Sequence, residues 1–165
     1  MKPFASIFGQ MNVDLIFHGV HVLPALGTEV FASNFAMCVG GGPIVIPYHL
    51  AKLGVPAELG TILESDFESF IARELLTRIN YKNISEFSVG AKSPIVFTSV
   101  LTSKEERSFI CFNAKVDEAA LSEQQLLDFY DGSSVTIFPH NLDVAKKLHA
   151  RGVELILDSS WTDDI

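Results

Sequence analysis

The sequence is short of positive charge. It has 12 lysines and arginines against 20 aspartates and glutamates, which gives a formal net charge of -8 and a pI near 5.0. Such a surface repels phosphate backbones and anionic lipid, so nucleic-acid and membrane partners are not expected. No apolar run approaches the roughly 20 residues that cross a bilayer, and the first residues do not follow a signal-peptide pattern. These absences predict a cytoplasmic protein.

Cysteine is scarce as well. Cys38 and Cys111 lie in two strand-like runs, and neither a Cys-x-x-Cys pair nor paired Cys/His zinc spacing occurs. Two buried free thiols in a reducing compartment are expected, although a disulfide between them stays open. His18 and His21 form a His-x-x-His pair on an extended segment, a pattern that is more often structural than metal-binding. No metal site is predicted.

Three glycine-rich phosphate-binding motifs are missing from the sequence. It contains no Gly-x-Gly-Asp, no P-loop Gly-x4-Gly-Lys-Ser/Thr and no Gly-x-Gly-x-x-Gly. The first predicted strand, residues 4–8, leads instead into Gly-Gln-Met-Asn. A dinucleotide-binding oxidoreductase is therefore disfavoured.

Apolar residues are abundant. They make up 48% of the 165 residues, charged residues make up 19%, and the mean hydropathy is +0.29. This composition predicts one globular domain with a single core. The high mean hydropathy indicates either an unusually large buried share or apolar surface that meets something outside this chain.

Strand-like and helical segments alternate through much of the chain. Strands are predicted at 58–63, 135–138 and 153–157, with helices before and between them, which is the pattern of βαβ units and a parallel sheet. The β-rich segments at about 13–38 and 94–113 do not fit that alternation. We expect them to form a small separate sheet beside a three-layer α/β core.

Helix signals support these boundaries. Ser65 with Glu68 and Ser122 with Gln125 each have capping-box spacing. Glycines 40–42 and Pro43 predict the start of a helix that ends near Gly54. Pro47 has no N–H to donate within that helix, so a distorted or late-starting helix is expected there. Asn141 is expected to cap a last helix through Ala150.

Three stretches together resemble one family. Residues 9–14 (GQMNVD) follow the first strand, residues 23–29 (LPALGTE) form a turn, and residues 40–54 (GGGPIVIPYHLAKLG) join a glycine run to a helix. They are similar, in this order, to the Gly-x-x-Asn-x-Asp motif, the lid turn and the first signature of ribokinase-type (PfkB-type) carbohydrate kinases. The resemblance covers nearly the whole chain and implies a ribokinase-like, Rossmann-like fold with a β-sheet lid.

The resemblance also implies a sugar site. Its residues would be Asn12, Asp14, Gly40, Gly41 and Gly42. The chemistry agrees, because a carboxylate at a strand end can accept hydrogen bonds from two vicinal hydroxyls, and glycines let the backbone approach a ligand. The other interpretations stay open: Asp14 as a solvated turn carboxylate, Asn12 as a turn former, and the glycines as a tight turn before a helix.

Two departures from the family pattern qualify this expectation. Val45 stands where the family's signature helix offers an asparagine to the sugar, so one polar contact is lost. The resemblance also implies that residues 1–165 are the amino-terminal part of one kinase domain, about half of the fold. The catalytic base, and the binding of ATP and Mg, are then expected beyond Ile165, and no catalytic residue is assigned within the chain.

The function implied is transfer of the ATP γ-phosphate to a hydroxyl of a sugar or related alcohol, with the chain alone inactive. The alternative is a non-catalytic binding or interaction protein derived from that fold. Homo-oligomers are also expected, formed through lid strands or an open sheet edge, because unpaired edges and apolar faces seek partners.

Overall fold

In a computed structural model of the chain, residues 4–112, 120–137 and 142–156 are described. They form nine strands and four helices. The strands are β1 (Ala5–Phe8), β2 (Asn12–His18), β3 (Asn34–Gly40), β4 (Ala57–Ile62), β5 (Ile84–Phe87), β6 (Val96–Thr102), β7 (Arg107–Phe112), β8 (Val135–Ile137) and β9 (Glu154–Ile156). The helices are α1 (Gly42–Lys52), α2 (Phe67–Arg78), α3 (Glu123–Tyr130) and α4 (Leu142–Ala150).

Five strands form a large parallel sheet in the order β5-β4-β1-β8-β9. Helices α1 and α2 pack on one face of it, and α3 and α4 pack on the other. This is the three-layer α/β core predicted from the alternation of strands and helices. No helix in the described ranges is long and apolar enough to cross a bilayer.

The central strand β1 shows why this sheet is stable. All four of its residues are buried, as expected for a strand covered on both faces. Ile7 faces the α1 side with Ile46 and Leu50, and Phe8 faces the α3 side, where its ring meets Phe129 edge to face. Full burial of a side chain of this size contributes about 1.5–3 kcal/mol.

The other four strands form the small sheet, in the order β3-β2-β6-β7. β2 pairs antiparallel with β3 and parallel with β6, and β6 and β7 form a hairpin. This sheet occupies the two β-rich segments predicted at 13–38 and 94–113. Between β2 and β3 lies an irregular loop, 19–33, whose turn is closed by the N–H of Thr28 donating to Ala25 O over 3.0 Å.

Helix α1 begins where the glycines and proline predicted. Gly41 is its N-cap, Gly42 its first residue, and Pro43 lies in the first turn. The late start expected from Pro47 is wrong, because the helix runs from Gly42 through Pro47 to Lys52 without a break. Pro47 is buried, so its ring contributes to packing where its nitrogen cannot donate.

The two predicted capping boxes have different outcomes. That of α3 is confirmed, since Ser122 Oγ accepts from Gln125 N and Gln125 accepts from Ser122 N. The Ser65–Glu68 box is wrong: the N-cap of α2 is Asp66, whose carboxylate accepts from Ser69 N at 2.7 Å. Phe67 and Phe70, in the first turn of α2, are exposed. Asn141, the predicted cap of α4, and the predicted strand ends at 138 and 157 lie outside the described residues.

The cysteines were predicted to be buried, and this is wrong. Cys38 is only partly buried and Cys111 is exposed, and both are free thiols. Each lies in an outer strand of the small sheet, where one or both faces have no covering layer. Sequence pattern alone does not distinguish such a strand from one inside a core.

Two carboxylates fasten the segment that leads from β5 into β6. Glu64 accepts hydrogen bonds from Ser88 Oγ (2.7 Å), Val89 N (2.7 Å) and Ala91 N (3.2 Å). Asp66 Oδ2 accepts from the N–H of Ser93, which has a positive φ of 54°. The bonds to Glu64, that of Ser88 first, lower the pKa of its carboxyl.

We expect Glu64→Gln to loosen this segment at pH 7. A lowered folded-state pKa means that the carboxylate stabilises the fold above its unfolded pKa, and that this contribution is lost as pH falls through the folded value. Because solvent reaches the group, we expect about 1 kcal/mol. Amide hydrogen exchange at residues 89–91 should be faster in the variant at pH 7, and the difference should vanish well below pH 4. Glu74→Gln, on the exposed side of α2, is the control, and equal exchange in all three proteins at pH 7 would contradict the expectation.

Candidate functional site

The candidate site lies where the carboxyl end of β1 meets the small sheet. After β1 the chain passes through residues 9–11 and enters β2 directly. The side chain of Gln10 donates from Nε2 to Pro94 O over 2.7 Å, and Val96 N donates to Met11 O over 3.1 Å. These bonds hold the start of β2 beside the start of β6. Ligands in open α/β sheets usually bind at this end of the strands.

The predicted site residues of β2 and β3 are brought together. Asn12 pairs in register with Gly40, and Asp14 pairs with Cys38. Side chains alternate along a strand, so Asn12 and Asp14 share one face of the small sheet. The interpretation of Asp14 as a turn residue does not hold, because it lies within a strand, where it is half-buried.

Gly40 and Gly41 have a steric role in this arrangement. A Cβ added at Gly40 would lie 2.2 Å from Asp14 Oδ2, so the carboxylate occupies the space that a side chain would take. At Gly41, φ is 90°, a conformation that L side chains rarely adopt, and a Cβ would lie 3.3 Å from Asn12 Oδ1. The glycines thus let the two polar side chains approach the start of α1. Gly42 begins the helix itself.

The electrostatics of the site centre on Asp14. Burial raises the pKa of its carboxyl, and the hydroxyl of Thr98 acts in the opposite direction. Burial, together with the charge of Asp14, raises the pKa of the Cys38 thiol. Cys38 therefore faces the site as a neutral thiol and a poor nucleophile. The chemistry that this arrangement offers is hydrogen-bond acceptance from hydroxyl groups, not covalent catalysis.

Two side chains beside Asp14 were not predicted. Thr98 of β6 and Cys38 of β3 are its register partners on either side. Thr98 had a sequence signal, since it is a polar residue within the apolar run of β6, but only the pairing of β2 with β6 shows what it faces. Val45 lies in the second turn of α1 and is 44% exposed, and it offers no polar group.

The remaining polar motifs of the small sheet make local contacts. His18 contacts Thr102 through its ring, at 3.3 Å between Nδ1 and Oγ1. Within the described ranges, no group of three or more His, Cys, Asp or Glu side chains could hold a metal ion. The charged residues 104–107 form the exposed tip of the β6–β7 hairpin.

No protein-family model matches the chain, and no curated protein matches it. Solved structures do match the chain. The ribokinase of Arabidopsis thaliana, complexed with ribose and ATP, is 20% identical with a TM-score of 0.74, covering 99% of this chain and 55% of that one. A putative ribokinase from Agrobacterium tumefaciens is 19% identical with a TM-score of 0.71, covering 93% and 51%. A microbiome-derived acarbose kinase is 15% identical with a TM-score of 0.74, covering 96% and 54%.

These likenesses establish the fold. The chain has the mixed α/β fold of ribokinases and PfkB carbohydrate kinases, with a parallel five-stranded sheet and a second small sheet. It spans about half the length of the solved structures that it matches. The resemblance stated from residues 9–14, 23–29 and 40–54 is confirmed at the level of the fold.

Proposed function

We propose that this chain supplies the sugar-binding part of an ATP-dependent carbohydrate kinase. The observation that carries the proposal is the position of Asp14. Its carboxylate is half-buried in β2, the strand that follows the carboxyl end of β1, in the space left free by Gly40, and in a fold that ribokinases share. A carboxylate in such a place accepts hydrogen bonds from hydroxyl groups, the chemical feature common to sugars.

The residues have distinct proposed roles. Asp14 accepts from two ligand hydroxyls, and Asn12 can both donate and accept at their neighbours. The backbone at Gly40, Gly41 and Gly42 approaches the ligand closely. The small sheet closes over the sugar and excludes water, which protects ATP from hydrolysis.

The remaining chemistry is proposed to come from sequence other than these 165 residues. Phosphoryl transfer rests on positioning and on neutralising charge at the transferred phosphate, and the glycine-rich motifs that do this are not in the sequence. ATP and Mg would therefore be bound by the complete enzyme, and its catalytic base would lie outside this chain. A cytoplasmic location follows from that role and stays a prediction.

Titration calorimetry and a kinase assay test the proposal together. We expect the 165-residue chain to bind a sugar from a panel of ribose, fructose and glucose, and to show no ATP-dependent phosphorylation of any of them. The physical reason is that the acceptor side of the reaction is present and the base is not. Absence of sugar binding would contradict the proposed site. Turnover by the chain, freed of contaminating kinase, would contradict the division of roles.

A second candidate function is favoured by exposed apolar side chains on the other face of the small sheet. Phe35, Met37, Ile110 and Phe112 share the face that points away from Asp14, and Phe35, Ile110 and Phe112 are at least half exposed. Such a patch is typical of an interaction surface. It supports self-association through the small sheet in a kinase, and equally a non-catalytic protein that pairs with a partner through these strands.

A further inference from the structure

One buried hydroxyl in the small sheet lacks a hydrogen bond of good geometry. Thr98 is 5% exposed, and within the described ranges no contact to its Oγ1 meets hydrogen-bond geometry, although its side chain is close enough to lower the pKa of the Asp14 carboxyl. Leaving a buried hydroxyl unpaired costs about 1–3 kcal/mol, so most buried hydroxyls in proteins are bonded. A group of this kind calls for a physical explanation.

Its place in the fold supplies one. Thr98 is the direct register partner of Asp14 across the parallel pair β2–β6, so both side chains leave the small sheet on the same face. The Thr98 hydroxyl is near enough to favour the ionised form of that carboxyl. The Asp14 carboxylate itself turns toward the backbone of Gly40 on the opposite side. The hydroxyl and the carboxylate therefore flank one position.

Among the residues that the structure describes, two other buried hydroxyls also have no hydrogen bond of good geometry, and they differ in setting. Thr61 and Thr136 are fully buried in strands of the large sheet. Neither is a register partner of a predicted site residue. Of these three threonines, Thr98 alone stands beside the candidate site.

We propose that Thr98 is a specificity-determining residue of the site. Its hydroxyl finds its hydrogen-bond partner in a ligand hydroxyl that is held between Thr98 Oγ1 and the Asp14 carboxylate. One ligand hydroxyl can donate its proton to Asp14 and accept the proton of Thr98, so a single group satisfies both. The proposal rests on the proposed function and deepens it. On the helix side Val45 has no polar group to offer, so the strand side supplies the contact.

The ligand class follows from this geometry. A site that is completed by a ligand hydroxyl discriminates against the analogue that lacks it, because the protein group is then left unpaired. The site therefore selects a polyol or sugar with a hydroxyl at one particular carbon and rejects the matching deoxy compound.

Thr98→Val tests the inference, because valine has nearly the same shape and suits a strand. Ribose, fructose and glucose are titrated into the 165-residue chain, and the tightest is carried forward with its monodeoxy analogues. We expect the variant to bind that sugar about 3- to 12-fold more weakly, with Thr98→Ser close to wild type. One deoxy analogue should bind wild type weakly and lose nothing further in Thr98→Val.

The free energy of unfolding separates the proposed role of Thr98 from a purely structural one. Removing a structural hydroxyl would lower the stability of the free protein. Removing an unpaired buried hydroxyl should leave the free protein as stable as wild type or more so in urea unfolding. Thr102→Val is the matched control: its hydroxyl lies on the same strand, with Phe17 O and His18 in reach. This control should lose stability and keep its sugar affinity.

The outcomes separate the two proposals. Equal sugar affinities in wild type and Thr98→Val, with Asp14→Ala impaired, would overturn the role of Thr98 and leave the proposed function standing. Marked destabilisation by Thr98→Val would show that the hydroxyl has a partner inside the protein, and would also overturn the proposed role of Thr98. A wild-type chain that binds no sugar in the panel would overturn the proposed function, and this inference with it.

Discussion

Replacing Asp14 with alanine is expected to lower sugar affinity about 10- to 150-fold and to leave the fold intact. The carboxylate is a charged acceptor in a half-buried site, and a hydrogen bond to such a group is worth about 1.5–3 kcal/mol. Stability should change little, because burial already raises the pKa of this carboxyl and so makes its charged form costly to fold.

Titration calorimetry of the tightest-binding sugar into wild type and Asp14→Ala measures this loss. Glu105→Ala is the matched control, since it removes a carboxylate from the exposed hairpin tip far from the site. Circular dichroism should show the same secondary structure in all three proteins. Equal affinity in wild type and Asp14→Ala would remove Asp14 from the site, and with it the main support for sugar binding.

Replacing Gly40 with alanine is expected to weaken sugar binding by displacing the Asp14 carboxylate. The new Cβ would lie 2.2 Å from Asp14 Oδ2, far inside van der Waals contact, so the carboxylate must rotate away. The strand itself need not move, because the clash is with the end of a side chain. We therefore expect a loss of sugar affinity of at least about 10-fold with a destabilisation of about 1 kcal/mol or less.

A double-mutant cycle makes this prediction specific. If Gly40→Ala acts by displacing Asp14, it should weaken binding in the wild-type background and change nothing in the Asp14→Ala background. Calorimetry on the four proteins gives the coupling directly. Additive losses would show that Gly40 acts on the ligand or on the helix start by itself, independently of the carboxylate.

Much of the fold could be predicted from the sequence because its signals were local. The alternation of strands and helices and the Ser122 cap depend on residues close together in the chain. The errors lay where neighbouring signals competed. Ser65 and Asp66 were both suitable caps for α2, and the structure uses Asp66, so the helix starts one residue later than the Ser65 cap predicted.

The site was only partly predictable. Asn12, Asp14 and the glycines lie in short motifs, so their types and spacing pointed to them. Thr98 and Cys38 flank Asp14 through strand pairing across long stretches of sequence, and nothing near them in the chain indicates it. Burial of the cysteines failed for a related reason, since a strand-like pattern does not tell how many layers cover a strand.

The pairing of β1 has a consequence for how the chain folds as it is synthesised. β1 is the central strand of the large sheet, yet one of its two neighbours, β8, comes from residues 135–137. On the ribosome, β1 can pair with β4 early, but its other edge must wait until more than a hundred further residues have emerged. Contacts between such distant segments form slowly because a long loop must close first. An unpaired edge of a strand with three apolar residues out of four is meanwhile open to wrong partners, so the nascent chain is a natural substrate for chaperones.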